Sequence, residues 1–497
     1  MKKLNLTVLL LAIVYFSLAG EVENIYSFPN YNQISKGSFE SVMLENTMLT
    51  GIAGEPALPY YAVKLLLPPG EKAVKIEFTG TDEIVLPGHF NLYPHQPSRP
   101  VSKPDEGEFL QNQAIYSTNA CYPHKQTGEI MTGYLNGYSV AMTTFTPVRY
   151  NPVTGEVRLY QHVKIRIISS PHAEAGVALN NLKSDPGSLK RIKGFVENTD
   201  LLGTYPSEAK SADDYQMLII TPNQFANSFG SLIDVYKERG IIAQVTSTES
   251  IYSTISGQDN QDKIRNFIRQ EYQGHGVEFV LLGGDVEYVP YRGFYAYVVS
   301  GSGYEDTGIP ADLYYSGLDG NWNTDGDARW GEQGEDDLLP DIAVARFPFS
   351  SSTELTNLIH KSIYYQNYPV PGEFNKTTLA GEWLYDSPET YGSDYLELLI
   401  GHRTDNGYET YGIPEDYTYF KLYEENASWG ATQFRAEVNA GRQFIHHVGH
   451  ANATYVAYLY NSDITDANFS GANGITHNYA ILQTHGCICG SFDYNDC

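Results

Sequence analysis

Two side chains with the chemistry of a nucleophile and a base lie near the end of the sequence. The segment QFIHHVGHAN carries His450 directly after a glycine, and the segment YAILQTHGC carries Cys487 directly after another glycine. A thiol becomes a good nucleophile once it is deprotonated, and a nearby imidazole can take that proton. Both residues follow short apolar runs of the kind that form buried strands. The pattern predicts a Cys–His dyad.

The neighbouring histidines suggest an alternative, a metal site. The sequence HHVGH places His446 and His447 close to His450, and imidazoles are common zinc ligands. However, adjacent residues of a strand point to opposite faces of a sheet. Only one of the pair can therefore share a side with the neighbours of His450, and we favour a core or supporting role for His447.

Cysteine is rare in this chain of 497 residues. In a secreted protein, four cysteines could form two disulfides in three ways. A domain of this size needs no disulfides, and three of the four cluster at the end of the sequence, unlike a disulfide framework. We therefore expect at least one thiol to be kept for reactivity. The four are Cys121, Cys487, Cys489 and Cys497.

The elements that must position the dyad alternate between strand and helix from residue 213 onwards. Short apolar runs such as 217–220 are typical of buried parallel strands. The alternation predicts an α/β fold with a mainly parallel sheet and helices on both faces. Catalytic groups collect beyond the carboxyl ends of such strands. Predicted helices cover residues 231–240, 261–273, 352–366, 393–403 and 430–441, and predicted strands cover 217–220, 241–245, 277–285, 341–347, 377–383, 443–448 and 478–484.

Residues 20–205 are predicted to form a separate β-rich domain. Positions 163, 165 and 167 are apolar and alternate with basic residues at 164 and 166, the pattern of a sheet with one face in water. The following stretch, 183–212, contains SLKRIKG and has the character of an exposed linker with basic cleavage points. It is either an ordinary surface connection or an activation site.

The first nineteen residues have the pattern of a secretory signal peptide. Two lysines precede an apolar stretch at 6–16 and a small-x-small site at 17–19. No later stretch approaches the roughly 18 apolar residues of a membrane span, so we predict secretion without an anchor in this chain. The net charge of −27 argues against nucleic acid as a partner, because phosphates attract Lys and Arg.

Several segments resemble the gingipain family of cysteine peptidases. The likeness is carried by HVGHAN and GCICGSFDY around the two reactive residues, by FVLLGGDVEYVP and LPDIAVARFP in the predicted sheet, and by GEPALPYYAVKLLLPPG near the N-terminus. It covers nearly the whole chain. The resemblance implies a caspase-like fold with a signal peptide at 1–19, a β-rich propeptide at 20–205 and a peptidase domain at 213–497. Because family catalytic domains continue past the nucleophile, we expect this domain to be C-terminally incomplete.

The resemblance also assigns roles to individual residues. Cys487, five positions before a phenylalanine, matches the nucleophile, and His450 matches the general base. The family places an acid at the end of the strand before a helical hairpin, where it orients the imidazole. This role falls on Glu382, with Asp386 as the fallback, whereas Asp394 could instead lie near the substrate pocket.

The same resemblance implies an oxyanion site made by backbone N–H groups. One belongs to Cys487 and the other to Ala451, the residue after the base. The family usually has glycine at the second position. If the site requires a positive φ, alanine would be strained there.

A second candidate site is the oxygen-rich loop NWNTDGDARWGE. Its residues match positions 1, 3, 5, 6, 7 and 12 of a calcium-loop pattern, although position 1 is Asn and no helices flank the loop. Calcium binding is also typical of the gingipain family. We predict a structural calcium ion, with a plain solvated acidic loop as the alternative. The ligands would be Asn321, Asn323, Asp325, Asp327 and Glu332.

Together these features predict a secreted cysteine endopeptidase made as a zymogen. It would hydrolyse peptide bonds of proteins or peptides through a thioester acyl-enzyme, without a cofactor for catalysis. Residues after the nucleophile help to build the specificity pocket of the family, so the resemblance leaves the cleaved sequence open. The alternative is a non-catalytic secreted binding or adhesion protein on the same scaffold, stabilised by calcium. The presence of both Cys487 and His450 favours the peptidase.

Overall fold

The computed structural model describes residues 20–97, 108–206, 215–300, 302–405 and 408–494. The predicted signal peptide and Cys497 lie outside these residues. Among the residues described, no helix combines the length and the apolar character that crossing a membrane requires.

Residues 20–206 form a β-rich domain in which two four-stranded sheets share one core. The long strand Glu156–Pro171 pairs antiparallel with its neighbours, and Val163, Ile165 and Ile167 are fully buried along it. The predicted one-sided strand is therefore confirmed. One sheet contains Gly20–Ser27, Glu71–Val85, Val148–Asn151 and Glu156–Pro171, the other contains Met48–Thr50, Leu58–Leu66, Met131–Leu135 and Tyr138–Phe145, and Asn32–Lys36 with Phe39–Met43 forms a hairpin.

Part of the segment predicted as an exposed linker is helical. The helix Pro186–Phe195 begins after Asp185, whose carboxylate accepts two backbone N–H groups, and it buries Ile192 against the N-terminal domain. The exposed-linker prediction is wrong for this helix because its apolar side chains cover that domain. Residues 207–214 lie outside the described part. The other short helices here are Gln113–Tyr116, Ala173–Ala178, Leu179–Asn181 and Thr199–Thr204.

Two all-parallel four-stranded sheets follow. In the first sheet, alternate side chains of the inner strand Met217–Thr221 pack on opposite faces. Leu218 and Ile220 pack with the helix Asn260–His275, and Ile219 packs with residues of helix Gly230–Glu238. Burial on both faces explains why this strand is apolar throughout. The strands are, in order, Ala243–Ser247, Met217–Thr221, Phe279–Gly283 and Ala343–Phe347, and the helices are Gly230–Glu238, Thr248–Thr254, Asn260–His275 and Ser352–Asn367.

The second parallel sheet also has helices on both faces. Leu396 of helix Gly392–Leu396 packs on one side, and Phe434 of helix Ala431–Asn439 packs on the other. The predicted α/β class, mainly parallel and preceded by a β-rich domain, is confirmed, with the parallel strands divided between two sheets. The strand order is Thr418–Tyr423, Lys376–Gly381, Phe444–Val448 and Ile481–His485.

The helix predicted at 393–403 is much shorter in the structure. It ends at Leu396 and a 3-10 turn, Glu397–Leu399, follows. Gly401 then has a φ of 75°, a left-handed conformation that a helix cannot continue through. The remaining strands are the pairs Arg292–Ser300 with Ser302–Ala311, Trp383–Asp386 with Glu389–Tyr391, and His402–Asp405 with Tyr408–Tyr411, and the trio Ala451–Asn452, Tyr455–Val456 and Leu459–Tyr460; short 3-10 turns are Ala226–Phe229, Asp312–Tyr315 and Asn461–Asp463.

Candidate active site

Three neighbouring strands of the second parallel sheet end side by side, and the predicted catalytic residues follow them. We call them the glutamate strand (Lys376–Gly381), the histidine strand (Phe444–Val448) and the cysteine strand (Ile481–His485). The last residues of the three strands are aligned in the parallel register. Whatever follows these strands therefore collects at one edge of the sheet, as expected for a parallel α/β fold.

His450 and Cys487 each lie two residues beyond the aligned pair Val448 and His485. The N–H of Gly449 donates to the carbonyl of His485 at 3.3 Å, so the two chains stay adjacent beyond the strands. Beyond the strands, Gly486 lies close to Ala451, so the residues just before Cys487 and just after His450 are neighbours. The side chains of His450 and Cys487 are exposed to solvent. The structure thus brings the predicted base and nucleophile to the same edge of the sheet.

The chain turns sharply at the cysteine. Ile488 has a φ of 63°, and the thiol of Cys489 donates to the carbonyl of Gly486 at 2.8 Å. A Cβ atom built on Gly486 would lie 2.4 Å from the Cβ of Ala451, so glycine is needed for the close approach of the two chains. The thiol of Cys487 is exposed and forms no hydrogen bond with any described residue.

The described cysteines are free thiols. Cys487 and Cys489 are exposed, and Cys121 is partly buried. The thiol of Cys489 is engaged in the turn that follows Gly486.

Glu382, the predicted orienting acid, is buried at 2% exposure directly after the glutamate strand. One carboxylate oxygen lies 2.9 Å from Nε2 of His447, and the other accepts the backbone N–H of His450 at 3.0 Å. The carboxylate therefore contacts the main chain of the base. Among the described residues, the imidazole of His450 has no hydrogen-bond partner, and its ring centroid lies 6.3 Å from that of Trp383.

The other two acids considered from the sequence lie elsewhere. Asp386 is exposed at the end of strand Trp383–Asp386. Asp394 accepts the N–H of Tyr391 at 2.8 Å and caps the helix that follows. Neither forms a described contact with His450.

The adjacent histidines point to opposite faces, as the strand geometry predicts. His446 lies on one face, where its Nε2 is 3.4 Å from Nδ1 of His485. Burial, and then His485 and His447, lower the pKa of His446 to about 4. His447 lies fully buried on the other face. The imidazoles of His446 and His447 therefore do not converge on one metal ion.

The predicted oxyanion position carries no left-handed strain. Ala451 begins the short strand Ala451–Asn452 and pairs with Val456. Its backbone is extended, so alanine is tolerated where the resemblance would place glycine.

Three of the five predicted calcium ligands come together. One ligand oxygen each from Asp325, Asp327 and Glu332 lie within 4.8 Å of one another, the single such group of acidic, histidine or cysteine side chains in the described part of the chain. The amide of Asn323 is used within the loop, where it accepts the N–H of Gly326 at 2.9 Å. Asn321 is exposed at the start of the loop. Hard carboxylate oxygens at this spacing suit a calcium ion.

Two neighbours of the site were not identified from the sequence. Thr484 lies opposite His447 in the strand register, and its hydroxyl is 2.7 Å from Nδ1 of that histidine. Trp383 is 38% exposed beside His450. The sequence places Thr484 three residues before Cys487, which could have marked it as a neighbour of the site. Only the pairing of the histidine strand with the cysteine strand shows that it faces His447.

Comparison with known proteins gives two family matches. Residues 210–497 match the model of peptidase family C25, and residues 23–186 match the model of the C25 propeptide.

Individual relatives are distant and longer. A Lys-gingipain (HG66) of Porphyromonas gingivalis is 23% identical over 476 residues, which cover 92% of this chain and 25% of the relative. Gingipain R2 of the same species is 24% identical over 349 residues, covering 67% of this chain and 41% of the relative. Among solved structures, a complex of the pro- and mature domains of RgpB from Porphyromonas gingivalis is 18% identical with a TM-score of 0.38, covering 56% of this chain and 57% of that chain. This chain thus spans only about a quarter of the Lys-gingipain.

Proposed function

Because this chain belongs to peptidase family C25, we propose that it is a cysteine-type endopeptidase made as a zymogen and acting on proteins or peptides. The observation that carries the proposal is the alignment of Val448 with His485, which brings the segments that carry His450 and Cys487 to one edge of the sheet. The thiol of Cys487 is exposed, and the His450 imidazole has no hydrogen-bond partner among the described residues, which supports their proposed roles as nucleophile and base.

In the proposed reaction, the His450 imidazole takes the thiol proton and the sulfur of Cys487 attacks the carbonyl carbon of the peptide bond. The carbonyl oxygen becomes an oxyanion, for which the N–H groups of Cys487 and Ala451 are the proposed donors. The imidazolium then gives its proton to the leaving amine as the C–N bond breaks, which leaves a thioester. Water attacks the thioester and gives a proton to His450, and the acid departs as the thiol is restored.

The surroundings of the dyad support a role in binding extended substrates. Trp383 offers an exposed apolar surface next to His450. Its backbone N–H bonds to Glu424, whose other oxygen accepts the hydroxyl of Tyr458. This fixes the tryptophan at the rim of the site, where it would contact a substrate residue near the cleaved bond.

Secretion and latency are further parts of the proposal. The sequence at 1–19 supports export, and the domain at 20–206 is proposed as the propeptide that is removed on activation. The proposal includes no nucleic-acid partner.

A structural calcium ion in the loop at 321–332 is also proposed. The close approach of Asp325, Asp327 and Glu332 supports it, because Arg329, 3.7 Å from Glu332, offers one positive charge against three carboxylates. The ion would neutralise the loop and take no part in the reaction.

The proposed function is tested by labelling and hydrolysis. The protein is activated by limited proteolysis in the presence of Ca²⁺, treated with iodoacetamide and mapped by mass spectrometry, and its hydrolysis of fluorescently labelled casein is measured. We expect rapid labelling of Cys487 that falls sharply in His450→Ala, and hydrolysis that is lost in Cys487→Ala but kept in Cys489→Ala. If Cys487 labels no faster than an ordinary thiol and casein is not cleaved, the non-catalytic binding protein becomes the better account.

A further inference from the structure

A buried histidine next to the dyad connects the chains that deliver its two members. His447 is fully buried, with the rings of Trp429 and Phe434 about it at centroid distances of 6.3 and 6.4 Å. Both of its ring nitrogens have a partner, Thr484 on one side and Glu382 on the other. Because a carboxylate only accepts hydrogen bonds, a neutral imidazole with its hydrogen on Nε2 satisfies both contacts.

Through Glu382, His447 is connected to the proposed base. Glu382 uses its second oxygen to accept the N–H of His450, and its own N–H donates to the carbonyl of Val448 at 3.0 Å. A Cβ atom on Gly449 would lie 2.4 Å from Nε2 of His447 and 2.5 Å from Cδ of Glu382. The turn into His450 is therefore wrapped closely around the paired imidazole and carboxylate.

The contact with Thr484 passes to the proposed nucleophile. Thr484 lies on the cysteine strand, three residues before Cys487, and faces His447 across the parallel pair. One imidazole thus bonds to the strand that carries the nucleophile and to the carboxylate that holds the backbone of the base. Because His447 is fully buried and Glu382 nearly so, neither group can replace the lost partner with water, which makes their hydrogen bond costly to lose.

We propose that His447 is a positioning residue that fixes His450 relative to Cys487, through Glu382 on one side and Thr484 on the other. This inference rests on the proposed function of the dyad. In this proposal His447 affects the reaction without contacting the substrate, and Glu382 holds the main chain of His450 in place.

The test compares two variants of His447 and one of its partner Thr484. His447→Phe keeps an aromatic ring without either hydrogen bond, and His447→Gln retains an N–H donor that reaches toward Glu382. Thr484→Val removes only the hydroxyl. The matched control is His446→Phe, a buried histidine of the same strand that points to the opposite face.

Each activated protein is first checked for folding by circular dichroism, and kcat and KM for labelled casein are then measured from pH 5 to 9. We expect kcat of His447→Phe to fall about 10- to 100-fold with KM nearly unchanged, because a small misplacement of reacting groups acts on the chemical step. His447→Gln should recover part of the loss, Thr484→Val should lose less than His447→Phe, and His446→Phe should match the parent. If folded His447→Phe keeps the parental kcat, the positioning role is overturned.

A second readout separates this inference from the proposed function and covers a variant that folds poorly. The rate of iodoacetamide labelling of Cys487 is followed against pH in the parent, Thr484→Val and His447→Gln. A parent that neither cleaves casein nor labels rapidly contradicts the proposed function itself. A rapidly labelled parent whose pH profile is shared by both variants contradicts the positioning role alone, whereas a shifted profile in the variants supports it.

Discussion

Asn136 of the N-terminal domain donates its backbone N–H to the carboxylate of Asp341 in the peptidase domain, 2.7 Å away. The side-chain amide of Asn136 also donates to the carbonyl of Asp341 and the hydroxyl of Tyr272, each at 2.9 Å. Asn136 and Gly137 have φ values of 51° and 81° and form the tip of the hairpin between Met131–Leu135 and Tyr138–Phe145. The tip of this hairpin, with its left-handed Asn-Gly turn, is therefore bound by the peptidase domain.

The first prediction concerns Gly137 at this tip. A Cβ atom there would lie 2.5 Å from the backbone N and Cα of Leu182, whereas Gly37, also a hairpin glycine with positive φ, has nothing within 4 Å. Gly137→Ala should lower the free energy of unfolding by about 2–4 kcal/mol through overpacking and strain, and Gly37→Ala by about 1 kcal/mol through strain alone. Urea unfolding measures both. Equal losses would show that the close approach to Leu182 has no energetic weight.

The second prediction concerns the pH dependence of three buried aspartates beneath the tip. Burial and then Asp319 raise the pKa of Asp337 to about 7, burial raises that of Asp319, and burial with Asp319 and Asp337 raises that of Asp341. Arg265 and Arg269 bond to nearby main-chain carbonyls. The charged and titratable residues that interact with the cluster from other elements include Arg265, Arg269, Tyr134 and Tyr272.

A carboxyl whose pKa is higher in the folded protein favours the folded state in acid, and this stabilisation is lost as pH rises through the raised pKa. Asp337→Asn mimics the protonated acid, so its free energy of unfolding should not share the parent's loss as pH rises. The difference in free energy of unfolding between the variant and the parent should grow by about 2–3 kcal/mol from pH 5 to pH 8, at roughly 1.4 kcal/mol per pH unit up to about pH 7. Unfolding in urea at both pH values measures it. The exposed Asp234→Asn serves as the control, and a constant difference between Asp337→Asn and the parent would contradict the prediction.

The sequence was sufficient to predict elements whose patterns are local. The apolar run at 217–220 reflects a strand buried on both faces, and the alternation at 163–167 reflects a strand buried on one face. Both strands are present in the structure. The helix predicted at 393–403 was too long: the α-helix ends at Leu396, a 3-10 turn follows, and the backbone is already extended at Ile400.

The candidate site was also only partly predictable from the sequence. That His450 and Cys487 would share an edge follows from two strand ends and the direction of a parallel sheet. The partners of Glu382 depend on the register between separate strands and on a carboxylate turned toward His447. The three buried aspartates were also missed, because their partners come from segments far apart in the sequence, including Asn136 for Asp341 and Asn181 for Asp319.

The third prediction concerns the glycine before the nucleophile. Because a Cβ on Gly486 would meet the Cβ of Ala451 at 2.4 Å, Gly486→Ala should push the cysteine chain away from the chain that carries His450. We expect casein hydrolysis and the labelling rate of Cys487 to fall about 100-fold. Gly490→Ala, in the same turn with nothing within 4 Å, should leave both rates near the parental values. Equal activity of the two variants would contradict the close packing at Gly486.

The last prediction concerns the acidic loop. Burial, and then Asp327, raise the pKa of Glu332, while Glu335 already accepts the N–H groups of Thr324 and Asp325 within the loop. A bound cation would relieve the repulsion and favour the charged carboxylates, so Ca²⁺ should bind more tightly as pH rises through the raised pKa of Glu332.

Removing Ca²⁺ with EGTA should therefore lower the Tm of the protein by several degrees, and adding Ca²⁺ should restore it. The double variant Asp325→Asn, Glu332→Gln should have the same Tm with and without Ca²⁺. Asp336→Asn, whose carboxylate lies in the same segment and accepts the N–H of Gly334, should keep the Ca²⁺ response, because Asp336 is not one of the three converging carboxylates. Isothermal titration gives the stoichiometry at this loop as the difference between the parent and the double variant. A Tm that does not respond to EGTA, with no heat difference between these two proteins, would identify the loop as a solvated acidic turn.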